Sequence, residues 1–383
     1  MDALEALAAL MLAGCCAVFA SCGGNSDTIK IGLSGPLTGG AAVYGKAVAN
    51  AAQMAVDEIN ANGGLNGIKF ELKAMDDEHD PTKIANNYAA LSDWGMQVSL
   101  GCVTTKPALE FAKLSKDDNV FFLTPSASAD AVRAEANGYQ MCFADAKQGK
   151  AAAEYVNGLN LTKIGVFYKS DDDYSKGIFT EFKANLNTSI TVVEASFTEQ
   201  TSSDFTTQVA ALKDCEFIFM PIYYTPAALF MNQAKNEAGI KTYYGCDGFD
   251  GLASAEGFDI TTIPQKITIP QKITMLTHFT AGATEGAAKA FVDKYVAKFG
   301  ADTLNQFGAS AYDCVYAIYG ALKAAIEAGK EVDASTTASE MCEILKAQFN
   351  GGYTYTGAVT GTGTVKWTSD GFVNKEALVE ALN

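Results

Sequence analysis

The sequence predicts an α/β fold made of two doubly wound parallel-sheet units. Three observations carry this. Short β-rich runs alternate with stretches of helical period from residue 29 onward, and a second such series starts near Gly149. The chain has 383 residues and is 48% apolar, so it can bury more than one core.

Residues 29–34 form the first predicted strand. A helix follows over residues 44–60, because Ala51, Ala55 and Ile59 recur at i, i+4 and i+8 and Gly63-Gly64 supplies a stop. Ile68, Phe70, Leu72 and Ala74 alternate as in a second strand, which ends in Asp76-Asp77. Next come a helix from Pro81, a strand at residues 98–101, a helix through Leu109 and Leu114, and the apolar run 120–123. Such repetition implies a parallel sheet with helices on both faces. The second series places strands at residues 164–168, 191–197, 217–222 and 242–245, each pair separated by a helical segment. Beyond it lie a strand at 272–279, helices through Phe291, Ala317 and Leu345, and a Gly/Thr-rich stretch ending in a hairpin at Ser369-Asp370-Gly371. IPQKIT occurs twice in tandem, at residues 263–268 and 269–274. The repeat is too short for a solenoid unit. Pro264 and Pro270 lack amide protons and restrict the residues before them, so an extended surface loop is expected, with the second copy running into the strand.

Residues 6–20 are apolar and uncharged, long enough for a signal-peptide core but short of the ~20 residues of a membrane span. Export is therefore expected. Two cysteines resemble the lipid-bearing Cys of bacterial lipoprotein leaders. Leu12-Ala13-Gly14-Cys15 fits the motif better, but cleavage before Cys22 keeps the apolar run whole and leaves a Gly23-Gly24-Asn25-Ser26-Asp27 tether. Residues 1–22 are thus read as a lipoprotein signal peptide, Cys22 as the lipid site and 23–28 as tether, although Asp2 and Glu5 stand where a basic segment is usual. Six further cysteines are widely spaced without any CxxC, which reads as free thiols rather than a disulfide framework or a zinc site. A net charge of −16 would repel nucleic-acid phosphates, which argues against nucleic-acid binding.

Residues 40–47, GAAVYGKA, match the Gly-x4-Gly-Lys part of a phosphate-binding loop, but Ala47 stands where a hydroxyl must hold Mg²⁺. Asp76-Asp77-Glu78-His79-Asp80 gathers oxygen ligands around one imidazole. With only one other histidine, His278, in the chain, it reads as a solvated loop and no metal is expected. Two histidines and no GxSxG elbow leave no triad, so neither an enzyme nor a cofactor is expected. Hydroxyls do gather at strand ends: Thr104-Thr105 follow the third strand and Ser126 and Ser128 the fourth. There, hydroxyls and helix-terminal N–H groups suit a carboxylate.

Together, IKIGLSGPLTGGAAVYGK, AVDEINANGGLNG, FELKAMDD, DPTKIANN, LTPSAS, DDDYSKGI, PIYYTPAALFMNQAKNEAG and ASAYDCVYAIYGALKAA resemble the type I periplasmic binding fold. The likeness is to the Leu/Ile/Val-binding proteins and lipoproteins of ABC transporters for branched-chain and related amino acids, from residue 29 to the C-terminus. It implies two lobes, residues 29–145 with 278–349 and residues 146–277 with 350–383, joined by a hinge of three crossings. It further implies a monomeric, lipid-anchored, extracytoplasmic protein that closes on a free amino acid and presents it to the permease. The expected amino acid is branched-chain or otherwise aliphatic; a sensory receptor domain of the same fold, or a binder of another small carboxylate or amide, is the rival reading.

By position, Thr105, Ser126 and Ser128, with Ala127 between the serines, would hold the α-carboxylate and Asp247 the α-ammonium. Tyr174 would close over the ligand, while Tyr44 and Tyr223 or Tyr224 would line its side chain. A zwitterion does need opposite charges a few ångströms apart, and Asp247 follows a predicted strand, although a cap or turn role in CDGFDG is the alternative. One departure stands out. Where many family members join two cysteines, this chain has His79 and Thr104.

Overall fold

The computed structural model describes residues 28–135, 137–263, 273–277, 279, 281–360, 364–375 and 378–382. The leader with Cys22, and most of the IPQKIT repeat, lie outside the described residues.

The first unit runs β1 (Thr28–Gly35), α1 (Ala42–Ala61), β2 (Lys69–Asp76), α2 (Ile84–Trp94), β3 (Val98–Cys102), α3 (Thr105–Asp117), β4 (Phe122–Thr124) and β5 (Gly138–Gln140). Its five strands pair in parallel in the order β2-β1-β3-β4-β5. Ile29, Ile31 and Leu33 alternate inward from β1 and meet Ala51, Ala55 and Ile59 of α1 in one core. On the opposite face Leu91 of α2 and Phe111 of α3 cover Phe122. Each helix thus buries one apolar stripe on the sheet, which is what keeps the parallel strands from water.

The second unit repeats the plan: α4 (Asp145–Asn157), β6 (Lys163–Lys169), α5 (Asp173–Asn185), β7 (Thr191–Phe197), α6 (Thr206–Leu212), β8 (Phe217–Met220), α7 (Tyr224–Ala234), β9 (Thr242–Gly245) and β10 (Ile273–Thr277). The sheet order is β7-β6-β8-β9-β10, parallel throughout, so both units share one topology. In each, the first strand lies between the second and the third, and the loops leaving it diverge. That switch point opens a crevice at the carboxyl ends of the strands.

The chain then returns to the first unit with α8 (Gly286–Phe299), α9 (Gln306–Glu327) and α10 (Ala338–Asn350). Glu58 of α1 holds α8 and α9 by accepting from Lys294 Nζ (2.8 Å), Tyr312 Oη (2.7 Å) and Tyr316 Oη (3.0 Å). Two short strands, β11 (Thr354–Tyr355) and β12 (Val365–Lys366), form an antiparallel pair. They are pinned to the first unit, because buried Asp313 of α9 accepts from Tyr355 Oη and from the Ala358 and Val359 amides at 2.7–2.9 Å. A tight turn closes between Thr368 and Gly371, whose φ of 76° suits glycine; a Cβ there would lie 2.1 Å from the Gly138 carbonyl oxygen. Only then does the chain cross over, and β13 (Leu378–Leu382) joins the second sheet antiparallel to β10. Lys375, on this crossing, is buried and donates to the Met141 carbonyl on the first crossing at 2.7 Å.

The six described cysteines are all buried and unbridged. Among the described residues no helix is long and apolar enough to cross a membrane.

Candidate ligand cleft between the lobes

The two switch points face each other. From the first lobe, the opening turn of α1 buries Tyr44, whose hydroxyl donates to the Gly248 carbonyl of the second lobe and accepts from the Tyr224 amide at 3.3 Å. Gly45, the second glycine of the GAAVYGKA stretch, has a packing role, since a Cβ there would sit 2.1 Å from the Pro36 carbonyl oxygen. After β3, Thr104 is the N-cap of α3 but its side chain makes no cap bond. The Thr105 hydroxyl is buried without a partner. Helix-terminal amides and an unpaired hydroxyl donor at one place are groups that can donate hydrogen bonds to an anion in general.

After β4, Thr124 Oγ1 receives the Ser126 amide at 3.3 Å and the Ala127 amide at 3.1 Å, while Ser126 Oγ donates to the Val103 carbonyl at 2.6 Å. Ser126 has therefore spent both its donors inside the lobe. It can offer a ligand its oxygen lone pair but not the proton a carboxylate needs. Ser128 is buried beside the Asp145 carboxyl, which burial pushes well above the usual carboxylate range.

From the second lobe, Asp172 caps α5 by accepting from the Ser175 amide at 3.1 Å, which fixes Tyr174 in the first turn. Tyr174 Oη donates to Asp247 Oδ1 at 2.6 Å and accepts from the Gly248 amide at 2.9 Å. Its ring stacks on Tyr223 with centroids 4.6 Å apart and 5° between planes. Gln148 of α4 accepts from the Asp247 amide at 3.1 Å. Asp247 is only 2% exposed and has no ion pair among the described residues. Burial raises its pKa to about 6, against the hydrogen bonds from Tyr174 and Gln148 and the Gly248 amide, which pull it down. Burial also pushes the Tyr44, Tyr174 and Tyr223 phenols well up, so they stay neutral donors.

With the lobes closed on each other as they are here, the cleft encloses a cavity of about 10 Å³, room for about one water molecule, so the lobes must part to admit anything larger. Of the nine residues singled out in the sequence, Tyr44, Ser126, Tyr174, Tyr223 and Asp247 line it. Thr105, the first residue of α3, and Ala127 and Ser128, in the loop after β4, are buried outside the lining. Tyr224 packs edge-on behind Tyr44, with ring centroids 5.0 Å apart. Val103, Thr104 and Phe307 complete the walls. Sequence reasoning missed Phe307 and Gln148. Both sit in ordinary helical runs, and nothing local marks Phe307, whose helix is capped by Asn305 and reaches the cleft from far along the chain.

Asp76 to Asp80 form a turn: Asp76 accepts from the Leu37 and Glu78 amides, and buried Asp77 accepts from Ser34 Oγ and the His79 amide. No group of three or more ligating side chains is arranged to hold a metal among the described residues. His79 Nδ1 lies 2.8 Å from Thr104 Oγ1, so a hydrogen bond stands where the family resemblance places a disulfide.

Comparison of the whole chain with known families gives a match to the Periplasmic binding protein family model over residues 28–373. The chain belongs to this family. Among curated relatives of this periplasmic binding protein, the leucine-, isoleucine-, valine-, threonine-, and alanine-binding protein of Pseudomonas aeruginosa is 29% identical over 331 residues, 85% of this chain and 84% of that one. The Leu/Ile/Val-binding protein BraC3 of Rhizobium johnstonii is 30% identical over 322 residues, 82% and 83% of the two chains. A crystal structure of the branched-chain amino acid transporter substrate binding protein LivJ from Streptococcus pneumoniae, in complex with isoleucine, superposes with a TM-score of 0.74 at 25% identity, covering 92% of this chain and all of that one. The family is one of solute-binding proteins rather than enzymes.

Proposed function

We propose that this protein binds a free α-amino acid with a side chain of aliphatic size between its lobes and hands it to the permease of an ABC importer. The observation that carries the reading is Asp247, a buried carboxylate on the cleft wall with no cation to balance it among the described residues. A buried charge without a partner is costly, so the fold keeps it for a ligand that brings the ammonium. Across the cleft, the start of α3 at the lining residue Thr104 suits the α-carboxylate, and the partnerless Thr105 hydroxyl just behind it would be reached when the lobes open. The relatives' names for branched-chain amino acids agree with aromatic walls at Tyr44, Tyr223 and Phe307.

Opening and closing about three crossings between residues 29–145 with 278–349 and residues 146–277 with 350–383 is the motion this reading needs, except that the hydrogen bonds of Tyr355, Trp367 and Gly371 favour assigning residues 354–360 and 364–371 to the first lobe. Family membership supports an extracytoplasmic location. The leader supports lipid anchoring at Cys22, and the mass of the processed N-terminus decides it: a start at Cys15 or an unprocessed Met1 would remove that site. A monomer without a cofactor completes the proposal. Calorimetric titration with α-amino acids tests it, since the reading requires at least one of them to bind.

A further inference from the structure

We propose that the His79–Thr104 couple reads a hydroxyl on the ligand's side chain, so that among side chains of aliphatic size the cleft favours threonine over its isostere valine. The inference rests on the amino-acid reading and names what one wall of that site selects.

Thr104 lines the cleft and is 2% exposed, and it is the N-cap of a helix it does not cap. An N-cap threonine ordinarily gives its oxygen to an amide of the first turn. Here the hydroxyl is turned to His79 Nδ1, 2.8 Å away. The imidazole is held for this contact at some expense. His79 has a φ of 64°, a left-handed conformation that a non-glycine residue adopts only when its surroundings impose it. Asp77 imposes it by accepting the His79 amide at 2.9 Å. Asp77 is itself fixed by Ser34 Oγ at 3.0 Å, and Ser34 by Asn87 Nδ2 at 3.1 Å. The ring of Tyr223, nearly perpendicular to the imidazole with centroids 5.2 Å apart, backs it from the other lobe.

A hydroxyl can donate once and accept twice, so one bond to His79 leaves Thr104 with hydrogen-bonding capacity toward the cleft. If the imidazole donates, the threonine proton is available to the ligand; if it accepts, a lone pair is. Val103, Tyr44 and Phe307 around it offer apolar surface. A wholly aliphatic side chain would leave that remaining capacity unused and, where the imidazole is the donor, the threonine proton without an acceptor, whereas a hydroxyl in the same volume would pair with it. A site built to bond a hydroxyl discriminates against the analogue that lacks it, and that asymmetry exceeds what an added methyl group gains.

The test is calorimetric titration of wild-type protein, Thr104→Val and Thr104→Ser with L-threonine and L-valine. The proposal expects wild type to bind threonine more tightly than valine. The ratio Kd(threonine)/Kd(valine) should rise roughly tenfold in Thr104→Val and stay within about twofold of wild type in Thr104→Ser. His79→Leu, which removes the other half of the couple, should move the ratio the same way as Thr104→Val. A wild type that prefers valine, or a ratio unmoved by Thr104→Val, overturns the proposal and leaves amino-acid binding standing. A wild type that binds no amino acid at all removes the underlying reading and this inference with it.

Discussion

If Asp247 takes the ligand's ammonium, as proposed, its protonation governs affinity. Burial disfavours the charged form and pushes its carboxyl up to about 6. A bound ammonium favours the carboxylate and pulls that pKa back down. Above pH 6 the carboxylate already exists, so affinity is flat. Below it each ligand must expel a proton on binding, and affinity falls by up to about tenfold per pH unit. Titrations from about pH 7.5 down to about pH 5 should show this break, and Asp247→Asn should lose both the affinity and the break. Affinity that stays level across that range would take Asp247 out of the ammonium contact. The place of Asp247 on the cleft wall was legible in the sequence because it follows a strand end, as were the places of Tyr44 and Tyr174. The role of Ser126 was not, because the direction of its hydroxyl toward Val103 is settled by a neighbouring strand and not by its own surroundings.

Secondary structure was legible wherever the apolar period ran long enough. The strand–helix alternation through residues 29–123 and 164–245 reappears as β1 to β4 and β6 to β9. The three-residue β5 escaped notice because so short a strand shows no periodicity and is placed by pairing with β4. The attachment of β11 and β12 to the first lobe escaped as well, since it depends on Asp313, about 40 residues earlier in the chain. The tandem IPQKIT gives a prediction at this scale. Ile263 is 5% exposed and belongs to the core, so removing its side chain would leave a gap there. Deleting residues 263–268, however, yields the same chain as deleting 264–269, because Ile269 then follows Thr262. The core isoleucine is thus retained, and shortening a loop changes closure entropy by only about 0.6 kcal/mol per halving. The deletion variant should match wild type in melting temperature and ligand affinity; a loss of several kcal/mol would show that the extra residues are themselves packed.

At the scale of the whole molecule, the structure is a closed one. Besides the Tyr44 bonds, Thr225 Oγ1 donates to the Gly40 carbonyl at 2.6 Å and the Gln306 amide donates to Asp250 Oδ2 at 2.7 Å, each from one lobe to the other. These contacts are few and partly exposed, so they can break and re-form, and a ligand touching both lobes shifts the balance toward closure by its differential affinity for that state. The central claim is that one small molecule satisfies both lobes at once, its carboxylate at Thr105 and its ammonium at Asp247. The measurement that tests this most directly is calorimetric titration with the best-binding amino acid, its deaminated acid and its decarboxylated amine. The account expects the intact amino acid to bind and each truncated analogue to lose at least about 3 kcal/mol, because each leaves one buried group unpaired. Deaminated acid binding as tightly as the amino acid would contradict it, by showing that Asp247 holds no ammonium.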